Sequence, residues 1–102
     1  MIAIDIPKEQ LRDFCRRWKV SDFALFGSVT RIDFRPESDI DVMVQFEKGA
    51  TWSLLDMVDM REELRGIFGR EVDLLTRFGV EQSLNRYRRE AILGSAVSLD
   101  VA

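Results

Sequence analysis

The first part of the chain has an apolar pattern of helical period. Over residues 7–18, apolar side chains recur at positions i, i+3, i+4 and i+7, which predicts one buried stripe on an amphipathic helix. The stripe consists of Leu11, Phe14, Cys15 and Trp18. Pro7 suits the first position of this helix, because an N–H there would have no helical partner. On such a stripe, Cys15 is interpreted as a small core residue rather than a reactive thiol.

Two further helices are predicted downstream. The first spans residues 53–68, where Thr51 or Ser53 can cap the start and Gly69 stands where helices commonly end. Its expected buried face comprises Leu54, Leu55, Val58, Leu64, Ile67 and Phe68. The second helix is expected over residues 81–93.

Four short segments have the pattern of strands. Residues 23–26 are an apolar run that ends in a Gly-Ser turn, and residues 40–46 alternate between two sets of side chains. Residues 71–76 are predicted as a third strand, and residues 97–101 as a short terminal one. Residues 29–38 are interpreted as turn and loop with one short helical turn. This order of elements predicts an α/β or α+β fold, in which helices pack on a small sheet.

Composition limits the size and the chemistry of the protein. With 102 residues, 46% apolar and 32% charged, the chain is expected to form one domain, residues 1–102, with a modest core. It contains no histidine and one cysteine, which excludes imidazole-dependent triads, histidine-liganded zinc and internal disulfides. Carboxylates, hydroxyls, arginines and any metal that they bind are the remaining reactive groups.

Charge and hydropathy bear on location and partners. No apolar run approaches the roughly 18 residues of a membrane span, and the N-terminus lacks the pattern of a signal peptide. We therefore expect a cytoplasmic protein with no membrane partner. A net charge of −3 argues against direct nucleic-acid binding. Arg86, Arg88 and Arg89 form a local basic cluster, which is either the solvated face of a helix or a docking site for a partner.

Two carboxylates at the second strand indicate metal chemistry. Asp39 and Asp41 are two residues apart, so their side chains leave one face of the strand about 6.6 Å apart. Such a pair favours a cation, and oxygen ligands favour Mg²⁺, which commonly shares its shell with substrate phosphates. Asp73, in the third strand, is expected beside them, and Glu71 is the competing candidate. Three carboxylates could hold two ions of the kind that assist displacement at phosphorus.

The turn after the first strand has the composition of a phosphate-binding loop. Gly27 lets the backbone turn tightly and approach a phosphate, while the Ser28 hydroxyl and nearby N–H groups can donate to its oxygens. Arg31 or Arg35 could neutralise further phosphate charge. A Gly-Ser dipeptide alone is uninformative, and its meaning comes from the carboxylates that follow.

Together these residues resemble a known family. Gly27-Ser28, ten further residues and then Asp39-Ile40-Asp41 match the G-S-x10-D-x-D signature of the polymerase β-type nucleotidyltransferases. The chain as a whole is similar to the minimal nucleotidyltransferase (MNT) branch. The resemblance implies a polymerase β-like fold with a small mixed sheet flanked by helices. It also implies that Asp39, Asp41 and Asp73 are catalytic residues that bind Mg²⁺, and that Gly27 and Ser28 hold the triphosphate.

One position departs from the family pattern. Many relatives have glycine after the arginine that follows the Gly-Ser pair, whereas this chain has Ile32 after Arg31. The departure bears on the conformation of the loop and therefore on Arg31 as a nucleotide-binding residue. The predicted catalytic set is intact.

The resemblance also implies a function. Members of this branch commonly act as antitoxins to HEPN-domain ribonuclease toxins, so the expected reaction is Mg²⁺-dependent transfer of AMP from ATP to the toxin. The expected acceptor is a tyrosine hydroxyl. Two alternatives stay open: an antitoxin that neutralises its partner by binding alone, and nucleotidyl transfer to a small molecule.

Overall fold

A computed structural model describes residues 4–30 and 38–102 of the chain. The helices are α1 (Lys8–Trp18), α2 (Leu54–Phe68), α3 (Arg77–Glu81) and α4 (Arg86–Ser95). The strands are β1 (Val20–Phe26), β2 (Ile40–Phe46), β3 (Val72–Thr76) and β4 (Val97–Leu99). A 3₁₀ turn, Gly27–Thr30, follows β1 directly.

The strands form one mixed sheet in the order β3-β2-β1-β4. The central strand β1 pairs antiparallel with both β2 and β4, whereas β3 is added parallel to β2 at the edge. Because β2 and β3 run in the same direction, their N-terminal ends meet at one end of the sheet. The predicted α+β class with a small mixed sheet is confirmed.

Helices cover both faces of the sheet. On one face, α1 and α2 bury the larger core, which includes Leu11, Phe14, Phe23, Leu25, Val42, Val44, Met60 and Leu64. On the other face, α3 and α4 cover a smaller cluster made of Ala24, Phe26, Met43, Val80 and Ile92. Alternation along β1 and β2 explains this division, since successive side chains point to opposite faces.

The buried face of α2 differs from the predicted one. Ser53 caps the helix through a capping box with Asp56, and Gly69 ends it at φ +67°, as predicted. Met60 and Leu64 are the fully buried residues of this helix, whereas Leu54, Leu55 and Val58 are 83%, 77% and 45% exposed. Apolar residues occupy two adjacent stripes of the helix, and the sheet covers only one of them. The prediction that these three residues are buried is wrong.

The predicted helix over residues 81–93 is also wrong in its bounds. Glu81 is the last residue of α3, and α4 begins only at Arg86, because two side-chain caps start the two helices separately. Thr76 accepts a hydrogen bond from the N–H of Gly79 at the start of α3, and Asn85 accepts one from the N–H of Arg88 at the start of α4.

Smaller differences concern the ends of other elements. Strand β1 begins at Val20, three residues before the predicted start, and β4 ends at Leu99. Pro7 is the N-cap residue of α1 rather than its first helical residue. In the described part of the chain, no helix has both the length and the apolarity needed to cross a membrane.

Candidate active site

Two of the predicted carboxylates lie side by side. Asp41 of β2 and Asp73 of β3 are register partners in the parallel pair, and neighbouring strands are about 4.8 Å apart. Because their strands are parallel and in register, both side chains leave the same face of the sheet. Met43 shares that face and packs in the cluster that α3 and α4 cover. The carboxylates therefore lie beside this cluster, at the N-terminal end of β2 and β3.

Gly27 brings its backbone against one of these carboxylates. Phe26, the last residue of β1, is the register partner of Asp41 on the other side of β2, so the chain enters the 3₁₀ turn next to Asp41. Gly27 has φ +72°, and a Cβ built on it would lie 2.4 Å from Oδ2 of Asp41. Both observations require glycine at this position.

Two hydrogen bonds stabilise the turn that begins at Gly27. The Thr30 hydroxyl donates to the carbonyl oxygen of Gly27 at 2.6 Å, which closes the turn from within. The Gly27 N–H donates to Oγ of Ser95 at 3.3 Å, which ties the turn to α4. Ser28 is the second residue of the turn and is partly exposed, as a phosphate ligand must be.

Asp39 lies just before β2, two residues from Asp41, and its side chain is exposed. The next residue, Ile40, donates its N–H to the carbonyl oxygen of Glu71 at 2.9 Å, which aligns the starts of β2 and β3. Glu71 itself is the alternative third ligand. Its carboxylate accepts a hydrogen bond from Arg65 of α2 at 2.6 Å. This contact directs Glu71 toward the helix and leaves Asp73 as the carboxylate beside Asp41.

The carboxylates fit a metal ion that is bound together with substrate phosphates and waters, rather than one held by protein ligands alone. Among residues 4–30 and 38–102, no three His, Cys, Asp or Glu side chains converge closely enough to hold a metal ion by themselves. Mg²⁺ is usually bound by one or two carboxylates together with waters and substrate phosphates. The adjacent pair Asp41 and Asp73 provides that donor set. Arg31, Arg35 and Ile32 lie outside the described residues, so the predicted role of Arg31 stays a prediction.

Comparison with known proteins agrees with this geometry. Residues 7–99 match the nucleotidyltransferase domain family, a match that includes both strands bearing the carboxylates and the turn at Gly27. The chain belongs to this family. The resemblance to the minimal nucleotidyltransferases that the sequence motif indicated is confirmed.

Curated relatives of this nucleotidyltransferase come from archaea. A provisionally named protein adenylyltransferase of Methanocaldococcus jannaschii is 38% identical over 76 residues, which cover 74% of this chain and 75% of the relative. Protein adenylyltransferase MntA of Thermococcus cleftensis is 31% identical over 77 residues, which cover 76% of this chain and 73% of the relative.

Solved structures share the fold. One of a provisionally assigned minimal nucleotidyltransferase superposes with a TM-score of 0.67 at 35% identity, covering 90% of this chain and 88% of the other. The complex of tri-AMPylated Shewanella oneidensis HEPN toxin with MNT antitoxin contains a chain that superposes with a TM-score of 0.60 at 17% identity. That superposition covers 89% of this chain and 66% of the other, and at such identity it shows the fold alone.

Sequence reasoning did not place α4 at the site. Four residues of this helix, spaced i, i+3, i+4 and i+7, line a cleft of about 240 Å³ against the 3₁₀ turn; they are Arg88, Ala91, Ile92 and Ser95. The other side of the cleft is formed by Phe26, Gly27 and Thr30. The helical spacing is present in the sequence, but nothing there shows that the stripe faces the turn. Neither this cleft nor a larger depression of about 630 Å³, lined by residues 4–7 and the end of α2, is lined by Asp39, Asp41 or Asp73; the cleft adjoins the site through Gly27.

Proposed function

We propose that this nucleotidyltransferase transfers AMP from ATP to a tyrosine hydroxyl of a HEPN-type toxin and thereby acts as its antitoxin. The observation that carries the proposal is the placement of Asp41, Asp73 and the backbone of Gly27 at one end of the sheet. This arrangement provides two carboxylates for a metal–triphosphate and a turn whose backbone can approach a phosphate.

The comparisons support a protein, and in particular a HEPN-type toxin, as the acceptor. A relative 31% identical to this chain is named a protein adenylyltransferase, and the HEPN toxin in the solved complex from Shewanella oneidensis carries three AMP groups. Exposed apolar side chains also favour a protein acceptor over a small molecule. Leu54, which lines the groove between α2, β3, α3 and α4, is 83% exposed. Phe78 and Tyr87, which precede the lining residues Gly79 and Arg88 in the sequence, are 73% and 86% exposed.

In the proposed reaction, the acceptor oxygen attacks the α-phosphorus of ATP in line with the leaving group. The new O–P bond forms while the bond from the α-phosphorus to the oxygen bridging to the β-phosphorus breaks, and diphosphate leaves. Asp73 is proposed to orient the attacking hydroxyl or accept its proton, and Gly27 and Ser28, with Arg31, to bind the triphosphate. Asp39, Asp41 and Asp73 would hold Mg²⁺, two ions in this proposal, which supplies charge neutralisation on the phosphates when bound.

Such a mechanism needs no histidine. Catalysis of phosphoryl and nucleotidyl transfer rests mainly on the positioning of the reactants and on neutralising charge. The chain, which contains no histidine, provides carboxylates, backbone N–H groups and arginines for these purposes.

The experiment is intact-mass spectrometry after co-expression with a HEPN-domain protein encoded by a neighbouring gene. Wild type is expected to add the mass of one or more AMP units to the partner. Asp41→Asn and Asp73→Asn are expected to add none. Glu71→Gln is the matched control, because it removes a carboxylate two residues from Asp73 that binds Arg65 instead; it should act like wild type.

The second candidate, neutralisation by binding alone, is favoured by the same exposed apolar side chains. It would replace the first if wild type left the partner unmodified while the two proteins still co-purified. Transfer to a small molecule would be supported by AMP transfer in the absence of any protein acceptor.

A further inference from the structure

The three arginines at the start of α4 differ in their contacts. Arg86 pairs with Glu90 at 3.1 Å, one turn along the helix. Arg89 donates to the carbonyl oxygen of Ser83 at 2.9 Å. Within the described residues, the guanidinium of Arg88 has no such ion pair or hydrogen bond. Of these three arginines, Arg88 is therefore the one whose charge is not used to stabilise the described fold.

Arg88 is also the one of these three arginines that lies against the turn at Gly27. It lines the cleft formed with Phe26, Gly27 and Thr30, and no other charged residue among those described lines that cleft. Ile92, on the same stripe of α4, packs against the sheet and is buried. Ser95, two turns from Arg88, accepts the hydrogen bond from the Gly27 N–H. These two contacts fix α4 against the 3₁₀ turn and hold Arg88 beside it.

We propose that Arg88 binds the β- and γ-phosphates of the nucleotide, an inference that rests on the proposed use of this site by ATP. The α-phosphate has to lie at Asp41 and Asp73, where the acceptor attacks, so the rest of the triphosphate extends toward the turn at Gly27. There it meets a guanidinium, whose planar set of N–H donors matches phosphate oxygens. A cation is needed at that end, because the nearby carboxylates raise the negative charge of the site.

The test is calorimetric titration of the purified protein in Mg²⁺ with two probes, a non-hydrolysable α,β-methylene analogue of ATP and AMP. Arg88→Ala is expected to weaken binding of the ATP analogue by about 10- to 100-fold, the range for losing a charge-assisted hydrogen bond. AMP binding should be unchanged, because AMP lacks the β- and γ-phosphates. The affinity of Arg88→Lys for the ATP analogue should be intermediate, since lysine keeps the positive charge but lacks the planar set of N–H donors of the guanidinium.

Arg86→Ala is the matched control. It removes a guanidinium from the same turn of the same helix, but one that already pairs with Glu90. It should leave both affinities unchanged, and thermal melts of all variants should coincide with wild type. If Arg86→Ala and Arg88→Ala weakened binding of the ATP analogue equally, the proposal would be overturned. Such a result would indicate that the helix's overall positive charge attracts the nucleotide, rather than a direct contact from Arg88.

Other outcomes separate this proposal from the proposed function. If Arg88→Ala binds the ATP analogue as wild type does, the inference fails. A simultaneous loss of the partner complex would then assign Arg88 to protein docking. If wild type binds the analogue and Arg88→Ala weakens that binding, the inference holds even where no protein acceptor is modified. Absence of analogue binding by wild type would overturn both.

Discussion

Gly27 provides the sharpest prediction at the scale of single residues. Alanine there would meet two obstacles, the left-handed backbone at φ +72° and the carboxylate of Asp41 2.4 Å from the new Cβ. We expect Gly27→Ala to abolish AMP transfer, because either the turn or Asp41 has to move. Intact-mass analysis of the partner and a thermal melt of the variant measure the two consequences.

Gly49→Ala tests the cost of a positive φ separately from any contact of the new Cβ. Gly49 also has a positive φ, +89°, but a Cβ built on it would meet no atom within 4 Å. Alanine at this residue is expected to cost about 1–2 kcal/mol of stability and to leave transfer intact. Equal activity in Gly27→Ala and Gly49→Ala would show that the approach of Gly27 to Asp41 is not needed for the reaction.

At this scale, much of the site could be predicted from the sequence. Strand alternation places Asp41 on one face of β2, but β2 begins at Ile40, so the same alternation does not fix the direction of Asp39. The choice of Asp73 over Glu71 rests on Val72 and Leu74, which bracket Asp73 within the apolar part of the strand, whereas Glu71 stands at its end. The contact from Arg65 to Glu71 supports this choice. Arg88 could not be identified, because its role depends on which element α4 faces, and that is a property of the tertiary structure.

At the scale of elements, α2 shows where hydrophobic pattern and burial separate. Leu55 is 77% exposed, whereas Leu64 is fully buried against the sheet. We expect Leu55→Gln to change the free energy of unfolding by less than about 0.5 kcal/mol, as is usual for surface positions. Leu64→Ala should cost about 2–5 kcal/mol. Chemical denaturation of both variants measures the free energy of unfolding. A large decrease in Leu55→Gln would indicate that Leu55 is buried, as the sequence predicted.

The contact between α1 and α2 predicts a pH dependence. The carboxylate of Glu63 accepts hydrogen bonds from Arg17, one of them at 3.0 Å, and from Nε1 of Trp18 at 3.2 Å. The hydrogen bonds from Arg17 lower the pKa of Glu63 below its ordinary value. Since the unfolded carboxyl has the higher pKa, ionised Glu63 stabilises the fold at neutral pH. That stabilisation is lost as the pH falls through the lowered pKa of the folded state.

Glu63→Gln should therefore be less stable than wild type at pH 7, by about 1 kcal/mol, and the difference should shrink as the pH falls below the ordinary pKa of a glutamate carboxyl. Urea denaturation at a series of pH values checks this. Glu9→Gln, which removes an exposed carboxylate from α1, is the control for the loss of one negative charge. A stability difference between Glu63→Gln and wild type that persists unchanged to pH 3 would contradict the assigned role of Arg17.

For the whole molecule, the sequence is informative about the fold class and much less so about the order of the strands in the sheet. Alternating strands and amphipathic helices are sufficient to predict an α+β sheet with helices. The order β3-β2-β1-β4 and the parallel pairing of β2 with β3 result from how non-local strands meet. The separation of α3 from α4 depends on the capping residues Thr76 and Asn85. In a sequence, single capping residues indicate helix boundaries less clearly than hydrophobic periodicity indicates helices.

The single cysteine allows the stability of the whole molecule to be linked to the site. Cys15 is 2% exposed in the larger core, and burial raises the pKa of its thiol to about 11. At pH 8 about one thiol in a thousand is then ionised, against about a quarter in the unfolded chain, and the thiolate is the reactive form. Alkylation by iodoacetamide is therefore expected to proceed through opening of the core.

A nucleotide bound at the carboxylates stabilises the folded state by an amount that grows with its concentration over Kd. We therefore expect the α,β-methylene ATP analogue with Mg²⁺ to slow alkylation of Cys15, although this residue lies on the opposite side of the sheet from the site. Asp41→Asn should remove the protection, and AMP should protect less than the ATP analogue at equal concentration. The rate of mass increase on the intact protein measures all three. Alkylation of wild type at the same rate with and without saturating nucleotide would mean that α1 opens locally, without unfolding the sheet that carries Asp41 and Asp73.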